Sequence, residues 1–192
     1  MSPHPPTNGT TQPRELLEAE VRESYGRVVY THKTQEKCAD ILLARLSTIK
    51  ISQIILSSVI TAGLLETLLG SSGLGAIVGV CASTALLGLN TYTKNSDLGA
   101  AAQKHRQTAA DLWLIREKYL ALLTDIRTHQ GPIAELSQRR NRLLDELHVV
   151  YSAAQSTTKA AYRHAQKALQ ENEEMTFSDA EIDAFLPKEL GK

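Results

Sequence analysis

Gln53, Ser57 and Thr61 fall on one helical face of an otherwise apolar run, and Leu64 and Leu68 continue that face. Amide and hydroxyl groups one turn apart, followed by leucines, suit a water path closed by a hydrophobic gate when several copies bring such faces together. The same face also suits plain helix packing, with each hydroxyl bonded to the carbonyl one turn back. Further on, Gly75, Gly79 and Ser83 recur every four residues and Asn90 extends their face, a pattern of small residues that lets two helix backbones approach closely. Glu66 is the one charged residue between Ile51 and Thr93. An acid at such a place is a functional candidate by default, as part of a pore ring or as a side chain reaching back to the outer interface.

A second group of residues suits anions. Arg139, Arg140 and Arg142 open one helix face, and Arg116, Lys118 and Arg127 lie on another element. Arginine forks match phosphate geometry, although the acidic C-terminal tail is an obvious internal partner for them. His32 and Glu36 stand one helical turn apart, but two ligands make a weak metal site, and a seam histidine with an intrahelical partner is the plainer reading. The chain has no glycine-rich phosphate loop after a strand, no nucleophile elbow and no Cys or His pair at zinc spacing. We therefore expect no enzyme activity, no metal and no cofactor.

The elements that must position these groups follow from length. A helix rises about 1.5 Å per residue and the hydrocarbon core is roughly 30 Å thick, so about 20 residues cross it. Two apolar stretches meet that requirement, spanning about 47–69 and 74–93 and separated by Gly70-Ser71-Ser72-Gly73. A buried soluble hairpin would interleave charged positions through both helices, which is not seen. Formal net charge is zero, from 21 basic and 21 acidic residues, because the charge is confined to the ends. That balance argues against direct nucleic-acid binding. Basic residues flank the pair (Arg45 and Lys50 before, Lys94 and Lys104 after) while the turn has none, which places both termini in the cytoplasm. Cys38 and Cys81 fall on different elements, so no disulfide is expected.

Residues 1–13 contain four prolines and no large apolar side chain, and read as a flexible leader. From Arg14 a helical seam of Val21, Tyr25, Val28, His32, Gln35, Ala39, Leu42, Leu46 and Ile49 leads into the first span. On the exit side Leu98, Ala102, His105, Ala109, Leu112, Arg116, Tyr119, Leu123 and Ile126 keep the same alternation of fours and threes. Residues 14–130 thus form a membrane hairpin with long cytosolic coiled-coil-like stems, and their polar seam positions are expected to select register or oligomer state. Gly131-Pro132 ends the second stem. Residues 131–192 form a C-terminal cytosolic helical region: a helix from about Ile133 to Tyr151, another after Ser156, and a last one opening at Ser178, where Glu181 completes a capping box and Phe177 staples onto Ile182. The fold class is all-α, an integral membrane two-helix hairpin.

Two flanking motifs carry a resemblance. Tyr30-Thr31-His32-Lys33-Thr34-Gln35-Glu36-Lys37 precedes the hairpin, and Trp113-Leu114-Ile115-Arg116-Glu117-Lys118-Tyr119 running on to Asp125 follows it. Over about residues 15–190, with the tail segment from Phe177 to Pro187, the chain resembles the SLATT family of bacterial two-span effectors. The resemblance implies a membrane effector of an antiphage system of the abortive-infection type, oligomerising and permeabilising the inner membrane. Its signal would come from a nucleotide second messenger or from a partner protein such as a nucleotidyltransferase or reverse transcriptase. It also implies that His32, Lys33, Glu36, Trp113, Arg116, Tyr119 and Asp125 transmit that signal. A passive anchor that recruits a cytosolic enzyme is the alternative.

Overall fold

A computed structural model describes residues 11–70, 73–178 and 181–182. They form five α-helices, α1 (Thr11–Leu69), α2 (Leu74–Asn95), α3 (Leu98–Arg127), α4 (Ile133–Ala153) and α5 (Lys159–Gln170), with no strand among the described residues. Residues 1–10 of the expected leader lie outside the described residues. So do Ser71 and Ser72 of the turn and the tail beyond Ile182. Helix α1 starts three residues earlier than the sequence suggests, because a proline in the first turn lacks only an N–H that would have no partner there.

The chain divides into two compact units, Cys38–His105 and the residues on either side of it. In the flanking unit the N-terminal part of α1 pairs with α3 in antiparallel sense: Glu18 meets Arg127 at one end, and Arg14 donates to the carbonyls of Ile126 and Gly131. Between them Leu17, Val21 and Val28 close on Leu112, Ile115, Tyr119, Leu122 and Ile126, and α4 adds Leu136 and Leu143. Each such side chain contributes on the order of 1.5–3 kcal/mol on burial. Every expected seam position on α1 and α3 is buried or half-buried.

One of the polar seam residues has a partner within the flanking unit. Gln35 is buried and donates to the Gln155 carbonyl, in the link between α4 and α5, so its amide is used within the chain. Helix α5 lays an alanine face (Ala161, Ala165, Ala168) against its neighbours, Tyr162 stacks on Tyr30 with ring centroids 6.1 Å apart, and Gln170 donates to the Tyr30 hydroxyl. Its start is fixed by Thr158, whose hydroxyl accepts the Ala161 N–H. At the end of α3 the left-handed residue is His129 (φ 58°), ahead of Gly131 (φ 75°), and the Gln130 N–H closes back on Asp125. The expected capping box is present: the Ser178 hydroxyl accepts from the Glu181 N–H, and the Glu181 carboxylate accepts from the Ser178 N–H. The hydrogen bonds with Ser178 hold the Glu181 carboxyl below its usual range. Phe177 and Ile182 are both exposed.

The alanine face leaves no room for longer side chains. Ala165→Leu is expected to destabilise the flanking unit by about 1–3 kcal/mol through overpacking, read as a lower denaturant midpoint for the detergent-solubilised chain. An unchanged midpoint would show that α5 is loosely held.

Candidate functional site

The unit from Cys38 to His105 contains the C-terminal part of α1 and all of α2, and both helices are long and apolar enough to cross a membrane. Their contact is built on backbone. A Cβ on Gly63 would stand 2.6 Å from the Gly75 carbonyl oxygen and 3.4 Å from the Gly79 nitrogen, and a Cβ on Gly75 would stand 2.5 Å from the Gly63 oxygen. Only glycine permits that approach, which gives two helices contact without any hydrophobic drive between them. On α2 the buried or half-buried row runs Gly75, Gly79, Ala82, Leu86, Leu89 and Thr93. Ser83, expected on this face, is exposed, because the contact row alternates steps of four and three and leaves a strict four-residue spacing after one turn.

The first-span polar face does not pack on these glycines. Only Gln53 reaches α2, donating to the Asn90 side-chain oxygen at 2.8 Å. Ser57 and Thr61 point outward, with the Thr61 hydroxyl bonded to the Ser57 carbonyl, and they share an open groove with Lys50, Ile54 and Ser58. Leu64 and Leu68 are 60% and 73% exposed, so the stripe continues unpartnered toward the turn. Glu66 turns the other way. Its Oε2 accepts the Gly75 N–H at 2.9 Å, placing the carboxylate at the start of α2, where unpaired N–H groups and the helix dipole favour a negative charge. The chain enters α2 through Gly73 in the left-handed region (φ 68°). At the other end Arg45 stacks over the Tyr92 ring, 5.2 Å from its centroid. Asp97, which the sequence reading passed over, caps α3 by accepting the Ala100 N–H.

The flanking unit gathers some of the expected transmission residues and separates others. His32 is buried, its Nε2 lies 3.6 Å from Glu36, and its Nδ1 has no hydrogen-bond partner. Burial pushes the His32 imidazole below its usual range, with Arg116 and Lys33 adding to the effect and Glu36 opposing it. Lys33 Nζ is 2.8 Å from both Glu36 and Glu174, and Lys37 Nζ is 3.2 Å from Glu174. The Lys33 and Lys37 ammonium groups hold the Glu174 carboxyl down to about 2. Arg116 binds Glu117 through Nε and Nη2, and its Nη1 lies 3.7 Å from the Met175 sulfur. Tyr119 is fully buried in the core, and burial raises its phenol. Trp113 is half exposed on the outer side of α3.

The arginines expected to take an anion are largely committed. Arg139 binds Asp125 at 2.5 Å and Arg140 binds Glu20, while Arg142 is exposed. Among the described residues, the tail carboxylate that docks on this unit is Glu174, on Lys33 and Lys37 of α1. Lys37 and Glu174 were not among the expected site residues. Their pairing depends on the turn after α5, which no local pattern announces.

The glycine contact makes a sharp contrast testable. Gly63→Ala is expected to lower the thermal stability of the detergent-solubilised hairpin by the equivalent of about 1–3 kcal/mol. Gly79→Ala, whose Cβ would meet nothing within 4 Å, should leave it unchanged. Equal effects would contradict the contact.

Comparison with known proteins adds the family. No curated protein and no solved structure matches the chain. Residues 17–181 match the SMODS and SLOG-associating 2TM effector domain family 4, which takes in the hairpin and most of the flanking unit. With two apolar helices in the place of the two transmembrane segments and the match covering most of its length, the chain belongs to this SLATT family.

Proposed function

We propose that the protein is a membrane effector of a bacterial antiphage system, which oligomerises in the inner membrane and permeabilises it when a partner signals infection. The observation that carries this reading is the outward stripe of Ser57, Thr61, Leu64 and Leu68 on α1, left free because Gly63 takes the contact with α2. Hydroxyls facing hydrocarbon gain little there. Brought together in several copies, with Lys50 at one end, they line a hydrated path that the two leucines close. Glu66 belongs to the turn in this reading and acts as a helix cap, holding the two spans as one body.

Both termini face the cytoplasm, as the flanking basic residues suggest. The signal reaches the flanking unit as a nucleotide second messenger or by contact with a partner such as a nucleotidyltransferase or reverse transcriptase. Helices α1 and α3 supply residues to both units, so a change in how their outer parts pack can be passed to the spans. The protein supplies no catalysis of its own in this scheme.

The double variant Ser57→Leu/Thr61→Leu spares Gln53 and its bond to Asn90. It is expected to cut ion leakage from cells or loaded liposomes at least about tenfold, with unchanged membrane insertion. Undiminished leakage removes the stripe from the pore. Harmless overexpression of the native chain together with stable capture of a cytosolic enzyme would favour a passive anchor instead.

A further inference from the structure

Two lysines one turn apart on α1 converge on a single carboxylate. Lys33 and Lys37 keep only 12% and 22% of their side chains exposed, and both ammonium groups lie within 3.2 Å of Glu174 Oε2. Glu36 and Glu117 are already bound to Lys33 and Arg116, so Glu174 is the group that balances Lys37. The segment that brings it there is lightly buried. Glu171, Asn172, Glu173, Thr176, Phe177 and Ser178 are exposed, and only Glu174 and Met175 are half-buried. The turn itself requires Glu173, which is not a glycine, in the left-handed region (φ 52°), a conformation that costs about 1–2 kcal/mol unless contacts hold it. Its backbone is closed by the Asn172 N–H on the Lys167 carbonyl, the Glu174 N–H on the Ala168 carbonyl, and the Met175 and Thr176 N–H groups on the Glu173 carbonyl.

The neighbouring guanidinium is under-used. Arg116 Nη1 faces the Met175 thioether, a weak acceptor for a guanidinium. A single carboxylate offers one charge and two oxygens to this group. A phosphate offers up to two charges and three oxygens, and matches lysine and arginine donors better.

We propose that Glu174 is a placeholder in an anion site formed by Lys33 and Lys37, with Arg116 beside it, and that a phosphate-bearing ligand takes its place and releases segment 171–178. This deepens the functional reading above by giving the signal an entry point. It is tested by binding and exchange, not by leakage, so either can fail without the other.

The test uses the full chain in detergent with inorganic pyrophosphate as probe. In the native protein, saturating pyrophosphate should raise amide hydrogen exchange over residues 172–178 while the exchange of residues 112–126 stays fixed. Glu174→Gln should exchange fast over the same segment without the probe and should bind pyrophosphate about tenfold more tightly, since the competing closed state is removed. Lys37→Gln should weaken binding at least about tenfold, and Lys37→Arg should keep it, which separates loss of the site from loss of the fold. Equal pyrophosphate affinity in the native and Glu174→Gln chains, or binding that leaves 172–178 protected, overturns the proposal. A second arm distinguishes the source of the phosphate. Release by pyrophosphate in phosphatidylcholine nanodiscs assigns the site to a soluble phosphate compound, release in phosphatidylglycerol nanodiscs without pyrophosphate assigns it to a lipid headgroup, and release in neither overturns it.

Discussion

In hydrocarbon two apolar helices gain nothing by hiding from their surroundings, since lipid tails are as apolar as leucine, so a hairpin needs another reason to hold together. Here the reason is the backbone contact of Gly63 with Gly75, reinforced by the Glu66 carboxylate on the Gly75 N–H and by the Gln53–Asn90 amide bond. The contact decides the rest of the membrane part. Because Gly63 meets α2, the residues between a third and nearly half a turn away are turned outward, and those include the hydroxyl stripe of Ser57 and Thr61. An acid that would be costly in lipid is spent on capping the second span.

The flanking unit follows other rules. There water is the solvent and burial does the work, with Tyr119, Leu112, Leu122 and Ile126 of α3 filling the space between α1 and α4. Its polar groups are mostly paired inside the unit: Gln35 to the α4–α5 link, Arg139 to Asp125, Arg140 to Glu20. The turn after α5 adds to its own backbone hydrogen bonds two side-chain attachments, the Glu174 carboxylate on Lys33 and Lys37 and the Met175 thioether on Arg116. A firm core beside a lightly buried strap is the arrangement on which the proposed release of segment 171–178 rests.

The seams were legible in the sequence because their spacing is fixed by helix geometry: the seam positions from Val21 to Ile49 and from Leu98 to Ile126 are buried or half-buried where the alternation of fours and threes places them. The alanine face of α5 and the Ser178–Glu181 box were legible for the same local reason. Gly63 was not, because it stands alone on its span among leucines, and its role appears only when α2 is placed against it. The four-residue run of Gly75, Gly79 and Ser83 gave the right face for one turn and then drifted off it, so Ala82 and Leu86 carry the contact. For Glu174 the sequence offered only an acidic tail. Which of its carboxylates docks, and on which cations, is set by a left-handed turn and a tertiary fit that charge patterning does not encode.

The glycine contact and the outward stripe both depend on lipid being the medium around the apolar parts of α1 and α2. Cys81 sits within α2 on its exposed side, while Cys38 is buried in the stem. In intact vesicles Cys81 should resist a membrane-impermeant maleimide, because hydrocarbon excludes both the reagent and the thiolate, and it should react fully once detergent and denaturant remove the bilayer. Labelling of Cys81 in sealed vesicles at the rate of a water-exposed thiol would contradict the account.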